Sequence, residues 1–473
     1  MGTMLVHWEP EDLGFWEREG ERIARRNLAL SVPALVLSFA VWMLWSAVVV
    51  HLPHVGFRFT PNQLFWLAAL PGLAGGTLRL LFSFMVPIFG GRNWTAVSTA
   101  LLLLPAVGLA LAVQDPHTGY PTFVVLAVLC GIGGGNFASS MANVSLFYPT
   151  RRKGAALGLN AGVGNLGIGL AQLAVPLVIA VPLFGALAGG SQRWSDGGTV
   201  REVWLQNAGL VWVPLIALAA LSAWRWMDNI AALQAGFAEQ AVIFARKHNW
   251  LLSWLYLGTF GSFIGYAAGF PLLAEVAFGA DGAASYAFVG PLVGAVARPL
   301  GGWLADRSGG ARLALACFAA MAAATLGLLL VLPEGGQGGS YGAFLALFAL
   351  LFAASGLGNG AVFHMIPAVL LRERQAAAGV DPQAQRRALR EGVLEGAASL
   401  GFASSIAAFG GFVIPKSYGT ALAMTGDPAA ALYLFLIFYA SCMAVTWRYY
   451  VRPRVGAPCR AGAGAKRAGA GDR

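Results

Sequence analysis

The stretch GIGGGNFASSMANVSLFYPTRRKGAALGLNAGVGNLGIGLAQ, residues 131–172, contains two apolar, glycine-dense segments joined by the basic loop Arg151-Arg152-Lys153. A glycine inside a helix costs about 1 kcal/mol relative to alanine, so this density needs a compensating interaction. In a membrane, small residues let helix backbones approach closely. The asparagines of the stretch are costly in hydrocarbon unless they face a partner or a wet cavity; they are Asn136, Asn143, Asn160 and Asn165. The stretch is therefore predicted to line a pathway between membrane helices.

The composition of the whole chain agrees with a membrane setting. Of 473 residues, 58% are hydrophobic and 11% are charged, and the mean hydropathy is +0.66, which is typical of a polytopic membrane protein. The formal charge of +10 would suggest a nucleic-acid partner in a soluble chain, but the distribution of the charges explains it without one. The four cysteines lack CxxC spacing, so no disulfide framework, metal site or cofactor is expected.

Twelve apolar runs are each long enough to cross about 30 Å of hydrocarbon at about 1.5 Å per residue. They lie near residues 29–52, 63–89, 94–113, 122–148, 155–181, 207–227, 249–273, 283–305, 311–333, 341–370, 393–415 and 430–451. This pattern predicts an all-α membrane protein with twelve transmembrane helices.

The chain divides into five predicted regions. Residues 1–28 are expected to form a charged, amphipathic N-terminal segment without a removable signal peptide. Residues 29–227 and 249–451 are two six-helix halves, and residues 228–248 link them. Residues 452–473, rich in Ala, Gly and Arg, are predicted to be a disordered basic tail.

The positions of Lys and Arg predict the orientation of the chain. With the N-terminus inside, 25 of the 31 Lys and Arg residues fall in cytoplasmic segments, whereas only Arg58, Arg193, Arg201 and Lys416 fall on the opposite side. Both termini are therefore predicted to be cytoplasmic. The two remaining basic residues, Arg79 and Arg298, lie inside membrane runs.

The two halves resemble each other around these arginines. Residues 71–79 read PGLAGGTLR and residues 290–298 read GPLVGAVAR, so each arginine follows a leucine by six positions and a glycine by four. Residues 131–137, GIGGGNF, likewise resemble residues 356–362, GLGNGAV. Two pseudo-symmetric six-helix repeats are the pattern of the major facilitator superfamily, in which the substrate lies at the repeat interface near the midplane.

A buried arginine needs an explanation, because near the bilayer centre it costs about 2.5–3.5 kcal/mol on insertion scales. Snorkelling is one possibility, but Arg298 precedes Arg307 by nine residues, roughly 13 Å of helix. A buried ion pair is another, yet Glu275, Glu391 and Glu395 lie at span ends and no acidic residue lies mid-span. The favoured hypothesis is a cationic site for an anion, because each planar guanidinium can hold two oxygens of an oxyanion.

Over nearly its whole length, from WEPEDLGFWEREGERIARRNL (8–28) to the last span, the chain resembles the nitrate/nitrite porter (NarK-type) family of that superfamily. GNFASSMANVSLFYPTRRKGAALGLNAGVGNLGIG (135–169) and GFASSIAAFGGFVIPKSYG (401–419) resemble the two family signatures, and GGWLADRSGGAR (301–312) resembles the superfamily's loop signature. The resemblance implies nitrate/nitrite transport by alternating access, most readily as antiport, by a monomer in the lipid of a bacterial inner membrane.

The resemblance also assigns roles to residues of this chain. It implies that Arg79 and Arg298 clamp the anion, that Phe137 and Phe260 face it, and that Asn165, Tyr256 and Ser404 supply hydrogen bonds. Asp306 and Arg307 would be gating charges. For either phenylalanine taken alone, ordinary helix packing is the simpler interpretation, and only the flanking motifs favour a binding role.

Other functions stay open at this stage. A nitrate/proton symporter is the main alternative, with His364 as the candidate proton carrier, since proton-coupled carriers usually show an intramembrane Asp, Glu or His. A non-transporting sensor or a channel-like anion pore is a third possibility, although the chain shows no long soluble signalling domain. GVGNLG (162–167) satisfies GxGxxG, but no strand precedes it, so an enzyme is not expected.

Overall fold

The structure is a computed structural model that describes residues 2–196, 199–231, 241–279, 283–333, 338–379 and 381–452. Within this part, the prediction of twelve membrane helices is confirmed. They are α1 (Leu13–Trp42), α2 (Pro61–Phe82), α3 (Gly91–Ala112), α4 (Tyr120–Phe147), α5 (Thr150–Val178), α6 (Asn207–Trp226), α7 (Lys247–Phe278), α8 (Ala284–Ser308), α9 (Gly310–Val331), α10 (Tyr341–Ala377), α11 (Pro382–Thr425) and α12 (Ala429–Val451).

In the described part of the chain, four short strands lie outside the membrane helices. β1 (Met4–Leu5) pairs in parallel with β4 (Asn229–Ile230), and β2 (Gln192–Asp196) pairs antiparallel with β3 (Thr199–Val203). Short helices at Leu44–Val48 and Met85–Phe89 continue α1 and α2 beyond their breaks.

Two helices begin well before the apolar runs that predicted them. α1 begins at Leu13 rather than near residue 29, because Asp12 caps its first turn by accepting a hydrogen bond from the backbone N of Phe15 at 2.6 Å. α11 begins at Pro382 rather than near residue 393, and it breaks at Phe409 into Pro382–Ala408 and Gly410–Thr425. Hydropathy marks only the part of a helix that crosses hydrocarbon, so charged extensions escape it. The predicted tail lies outside the described residues from position 453 onward.

The helices pack as two equivalent sets of six. In the first half α2 lies along α4 and α1 along α5, and in the second half α8 lies along α10 and α7 along α11. The halves meet where α2 packs on α11 and α5 on α8. At the first of these contacts a Cβ on Gly72 would lie 2.3 Å from the carbonyl carbon of Gly411. Only glycine allows the two backbones to approach so closely.

The two faces of the bundle differ in how the halves are joined. We call the face where α1 begins and α12 ends the terminus side, and the opposite face, which carries the β2–β3 hairpin, the hairpin side. On the hairpin side, polar contacts cross between the halves: His54 Nε2 lies 3.5 Å from Glu275 Oε1, and Lys416 Nζ donates to Asn62 Oδ1 at 3.0 Å.

The ion pairs on the terminus side, in the part of the chain that the structure describes, each stay within one half. They are His7–Glu9, Arg26–Asp228, Arg25–Glu21, Arg152–Glu21, Arg246–Glu395, Arg374–Glu391, Arg374–Glu395 and His364–Asp306. Among the described residues, ion pairing between the halves therefore occurs on the hairpin side and not on the terminus side.

The N-terminal segment is tied to the chain that follows α6. Asp228 accepts hydrogen bonds from Thr3, Arg26 and Asn27. Burial by itself would raise the pKa of Asp228, but these hydrogen bonds outweigh burial and hold the pKa of the carboxyl below its usual range. The strand pair β1–β4 continues the same attachment.

Candidate functional site

Arg79 is fully buried near the end of α2 and is fixed by backbone groups of both halves. Its Nε donates to the carbonyl of Gly134 in α4 at 2.8 Å, and its Nη1 donates to the carbonyl of Ser404 in α11 at 2.9 Å. Its Nη2 is buried and has no hydrogen-bond partner within the described residues. Two of the three guanidinium nitrogens are therefore held by the protein, while the third, Nη2, is left for another partner.

Arg298 is 6% exposed and lies in the middle of α8. Its Nη1 is buried without a hydrogen-bond partner among the described residues. Its closest ring contact is Phe363, with the guanidinium carbon Cζ 5.1 Å from the ring centroid. Among the described residues, Arg79 donates to backbone carbonyls and Arg298 does not.

One aromatic ring lies close to both cations. The centroid of Phe260 is 5.2 Å from Cζ of Arg79 and 5.9 Å from Cζ of Arg298, so both guanidiniums lie beside the same ring. Phe137 stacks on Phe260 at 6.3 Å with an interplanar angle of 25°, and its own centroid is 4.6 Å from Cζ of Arg79. Phe260 sits in a π-helical turn of α7, Leu257–Gly261, a local widening that is frequent at functional sites.

Two further residues carry buried polar groups that have no hydrogen-bond partner in the described chain. Tyr256 lies beside Phe260, and Asn165 lies on α5, a helix at the interface between the halves. The ring of Tyr256 stacks on Phe260 at 5.5 Å, and its buried hydroxyl has no hydrogen-bond partner in the described chain. Asn165, on α5, is 1% exposed, and both atoms of its side-chain amide are likewise unpaired. Buried polar groups are normally hydrogen-bonded, so these unpaired atoms point to a bound molecule or water.

Ser404 enters the site by its backbone rather than its side chain. Its hydroxyl donates to the carbonyl of Gly401 at 2.8 Å, while its own carbonyl accepts from Arg79. The hydroxyl is therefore engaged within α11, and the carbonyl positions an arginine of the opposite half.

The predicted gating residues lie elsewhere, on the terminus side. Asp306 Oδ1 is 3.0 Å from Nε2 of His364, and both side chains are more than half exposed. Cζ of Arg307 lies 3.7 Å from the ring centroid of Trp303. Phe363 contacts Arg298, but its neighbour in sequence, His364, turns toward Asp306 and solvent.

Three aromatic contacts of the arginines were missed at the sequence level. Trp42 lies 4.9 Å and Phe39 6.0 Å from Cζ of Arg79, and Phe363 lies against Arg298. An aromatic residue in an apolar run is usually core. Comparing α1 with α7 could have found the first two, since Phe39 and Trp42 have the same spacing as Phe260 and Phe263.

The arrangement suits a small anion. The ion pairs found among the described residues involve neither Arg79 nor Arg298. A buried, unpaired charge is strongly unfavourable. Two such charges facing one ring therefore require a negative partner that the described chain does not supply.

Comparisons with known proteins support the same fold. Residues 34–381 match the family model of the Major Facilitator Superfamily. A bacterial homologue of the human lysosomal transporter Spinster, in an inward-facing and occupied conformation, covers 89% of this chain and 95% of its own with a TM-score of 0.58. At 15% sequence identity that likeness concerns the fold alone.

Two relatives are similar over almost their full length. The nitrate/nitrite transporter NarU of Escherichia coli (strain K12) is 49% identical over 454 residues, which is 95% of this chain and 96% of NarU. A probable nitrate/nitrite antiporter, NarK2 of Thermus thermophilus, is 39% identical over 97% of this chain and 99% of its own.

The twelve helices, the two repeats and the interface site thus define a secondary transporter of the major facilitator superfamily. Within that superfamily the chain belongs to the NarK-type nitrate/nitrite porter family. The resemblance inferred from the sequence motifs is confirmed.

Proposed function

We propose that this protein exchanges nitrate and nitrite across the membrane by alternating access. The observation that carries the proposal is the pair of buried guanidiniums, one from each half, which face a single ring and have no carboxylate partner among the described residues. The names of the relatives, one of them an antiporter, agree with this choice of cargo.

The chemistry of the site favours a small planar oxyanion. A guanidinium is a planar fork of donors that can bind two oxygens at once. Phe137 and Phe260 present nearly parallel rings beside Arg79, and a flat ion fits against such faces better than a tetrahedral one. The proposed ligands are Nη2 of Arg79, Nη1 of Arg298 and the hydroxyl of Tyr256, with the amide of Asn165 as a further donor.

The proposed transport cycle uses the difference between the two sides of the bundle. With both termini cytoplasmic, as the positive charges predict, a bundle joined on the hairpin side is an inward-facing carrier in a bacterial inner membrane. Outward opening requires the His54–Glu275 and Lys416–Asn62 contacts to separate, and Asp306 and Arg307 to move as the terminus side closes. The functional unit is proposed to be a monomer that contacts lipid and no nucleic acid.

Exchange rather than proton symport follows from the charges. An empty site holds two facing cations, so the carrier crosses between its two states most easily when an anion neutralises them. A carboxylate or imidazole beside the arginines would favour symport, but in the described chain His364 pairs with Asp306 on the terminus side instead.

Reconstituted proteoliposomes test the proposal. Uptake of labelled nitrate should require unlabelled nitrate or nitrite inside the vesicles, and sulfate inside should not replace them. Uptake into anion-free vesicles driven by a pH gradient would contradict exchange, and no uptake under either condition would contradict the cargo.

A further inference from the structure

The repeat that relates Arg79 to Arg298 extends to the helices that precede them. α1 reads Ser38-Phe39-Ala40-Val41-Trp42, and α7 reads Thr259-Phe260-Gly261-Ser262-Phe263. The first aromatic residue of each set lies at almost the same distance from the arginine of its own half, 6.0 Å for Phe39 to Arg79 and 5.9 Å for Phe260 to Arg298. Phe39 and Phe260 are therefore structural equivalents.

The second aromatic residue of each set fills an equivalent gap. The glycine four positions before each arginine has no room for a side chain: a Cβ on Gly75 would lie 2.6 Å from Nε1 of Trp42, and a Cβ on Gly294 would lie 2.6 Å from Cε2 of Phe263. Trp42 also occupies the space beside Gly134, where a Cβ would lie 2.6 Å from Cε2 of the indole. Trp42 and Phe263 thus hold the same place in the two repeats.

These two residues differ in what they do to the neighbouring arginine. The indole of Trp42 lies 4.9 Å from Cζ of Arg79, and its Nε1 donates to the carbonyl of Pro71 at 2.7 Å, which fixes the ring against the helix that carries the arginine. Phe263 has no such donor, and its ring contacts are Phe260 and Phe352. Arg298 is contacted by Phe260 and Phe363 instead.

We propose that Trp42 is a positioning residue that makes Arg79 the fixed arm of the anion clamp. The guanidinium carbon lies 4.9 Å from the indole of Trp42 and 4.6 Å from the ring centroid of Phe137. Such contacts between a cation and aromatic faces are attractive and directional. Trp42 does not touch the anion; it sets the direction of Nη2 of Arg79, the donor that the protein leaves unpaired.

The division of roles has a mechanical consequence. An arginine held by an indole and two backbone carbonyls presents its free donor at one place, so the anion is bound in one orientation. Arg298, without these restraints, adjusts to the anion after it arrives. This inference rests on the proposed nitrate/nitrite exchange and adds the residue that orients the site.

The test compares Trp42→Phe and Trp42→Leu with the matched variant Phe263→Leu in nitrate/nitrite exchange by proteoliposomes. Loss of the N–H in Trp42→Phe should raise the KM for nitrate about threefold, and loss of the ring in Trp42→Leu about tenfold or more, with Vmax within about twofold of the wild type in both. In Phe263→Leu the KM should stay within about twofold of the wild type, although its melting temperature falls.

A wild-type KM in Trp42→Leu, or an equal rise in Phe263→Leu, would overturn the positioning role. If Trp42→Leu yields no folded protein, Trp42→Phe decides, and an unchanged KM there counts against the proposal. If the wild-type protein itself exchanges neither nitrate nor nitrite, the proposed function fails and the positioning role falls with it. That outcome is distinct from exchange that is normal in the wild type and unaltered in the Trp42 variants.

Discussion

Arg79 and Arg298 occupy equivalent positions in the two halves, but among the described residues only Arg79 is held by backbone carbonyls, one from each half. Arg79 donates to two backbone carbonyls and lies on an anchored indole. Arg298 lies beside two phenylalanine rings with its Nη1 unpaired. The difference indicates that in a pseudo-symmetric fold one arginine is positioned by the protein, while the other is completed by the ligand. Five substitutions can break or sharpen this comparison.

The largest effect is expected from replacing either arginine by lysine. Arg79→Lys and Arg298→Lys keep the charge but replace a planar fork by a point charge, so Vmax/KM for nitrate should fall at least about a hundredfold, or about 2.7 kcal/mol. Exchange in proteoliposomes measures this. Wild-type-like exchange in either variant would refute the two-arm clamp.

The same pair of variants should differ in stability. Arg79→Lys leaves the carbonyls of Gly134 and Ser404 without their present donor, so its melting temperature in detergent should drop, at about 1–3 kcal/mol for a lost buried partner. Arg298→Lys should melt close to the wild type. Equal melting temperatures would show that the two arginines are held equally well.

Removing the hydroxyl of Tyr256 is expected to act on binding without harming the fold. The hydroxyl is buried without a partner in the described chain, so Tyr256→Phe should keep or slightly raise the melting temperature, since an unpaired buried donor is unfavourable. The KM for nitrate should rise about tenfold if the hydroxyl binds the anion, because a hydrogen bond to a charged group contributes about 1.5 kcal/mol or more. An unchanged KM would remove Tyr256 from the site.

A smaller effect, on the free energy of unfolding alone, is expected from a substitution on the terminus side. There, one carboxylate in each half is held by hydrogen bonds. Asp228 is bound by Thr3, Arg26 and Asn27, and Glu395 by Arg246 and Arg374. Asp228→Asn should reduce the free energy of unfolding by about 1–2 kcal/mol near pH 7, with nitrate exchange retained.

The free energy of unfolding that Asp228→Asn loses should depend on pH in a definite direction. The pKa of Asp228 lies below its usual range in the folded protein, so its contribution is complete above the unfolded value of about 3.9 and disappears as the pH falls through the folded value. Melting curves should therefore show the wild type and Asp228→Asn converging at acid pH. A gap that widens with acidification would contradict this account.

The smallest effect is expected at His364. Its imidazole pairs with Asp306 on the terminus side and is half exposed. His364→Gln should therefore leave the exchange rate between pH 6 and pH 8 within about twofold of the wild type, as expected for an exposed pair of small energetic weight. Loss of a pH dependence that the wild type shows would instead favour proton coupling.

The sequence predicted the twelve spans and the arginine pair because both leave a mark on residue type. A span is a long apolar run, and a buried arginine within such a run is rare enough to need a reason. Comparing PGLAGGTLR with GPLVGAVAR then placed Arg79 and Arg298 at equivalent points of two repeats.

Features that depend on a backbone atom, or on the direction in which a side chain points, were not predictable from residue type. The role of Ser404 lies in its carbonyl, which every residue has, and Trp42 looks like any aromatic residue in an apolar helix. The charged ends of α1 and α11 extend beyond the hydrocarbon, where hydropathy no longer marks a helix. The pairing of His364 with Asp306 depends on where α10 places one side chain, which sequence spacing alone leaves open.

The most direct test of the central claim is the stoichiometry of nitrate binding, measured by calorimetry on the purified protein in detergent. The account predicts one nitrate per chain for the wild type and no detectable binding for Arg79→Lys or Arg298→Lys at the same concentrations. Unchanged binding in either lysine variant, or no nitrate bound to the folded wild type, would contradict the claim that the anion is the missing partner of the two guanidiniums.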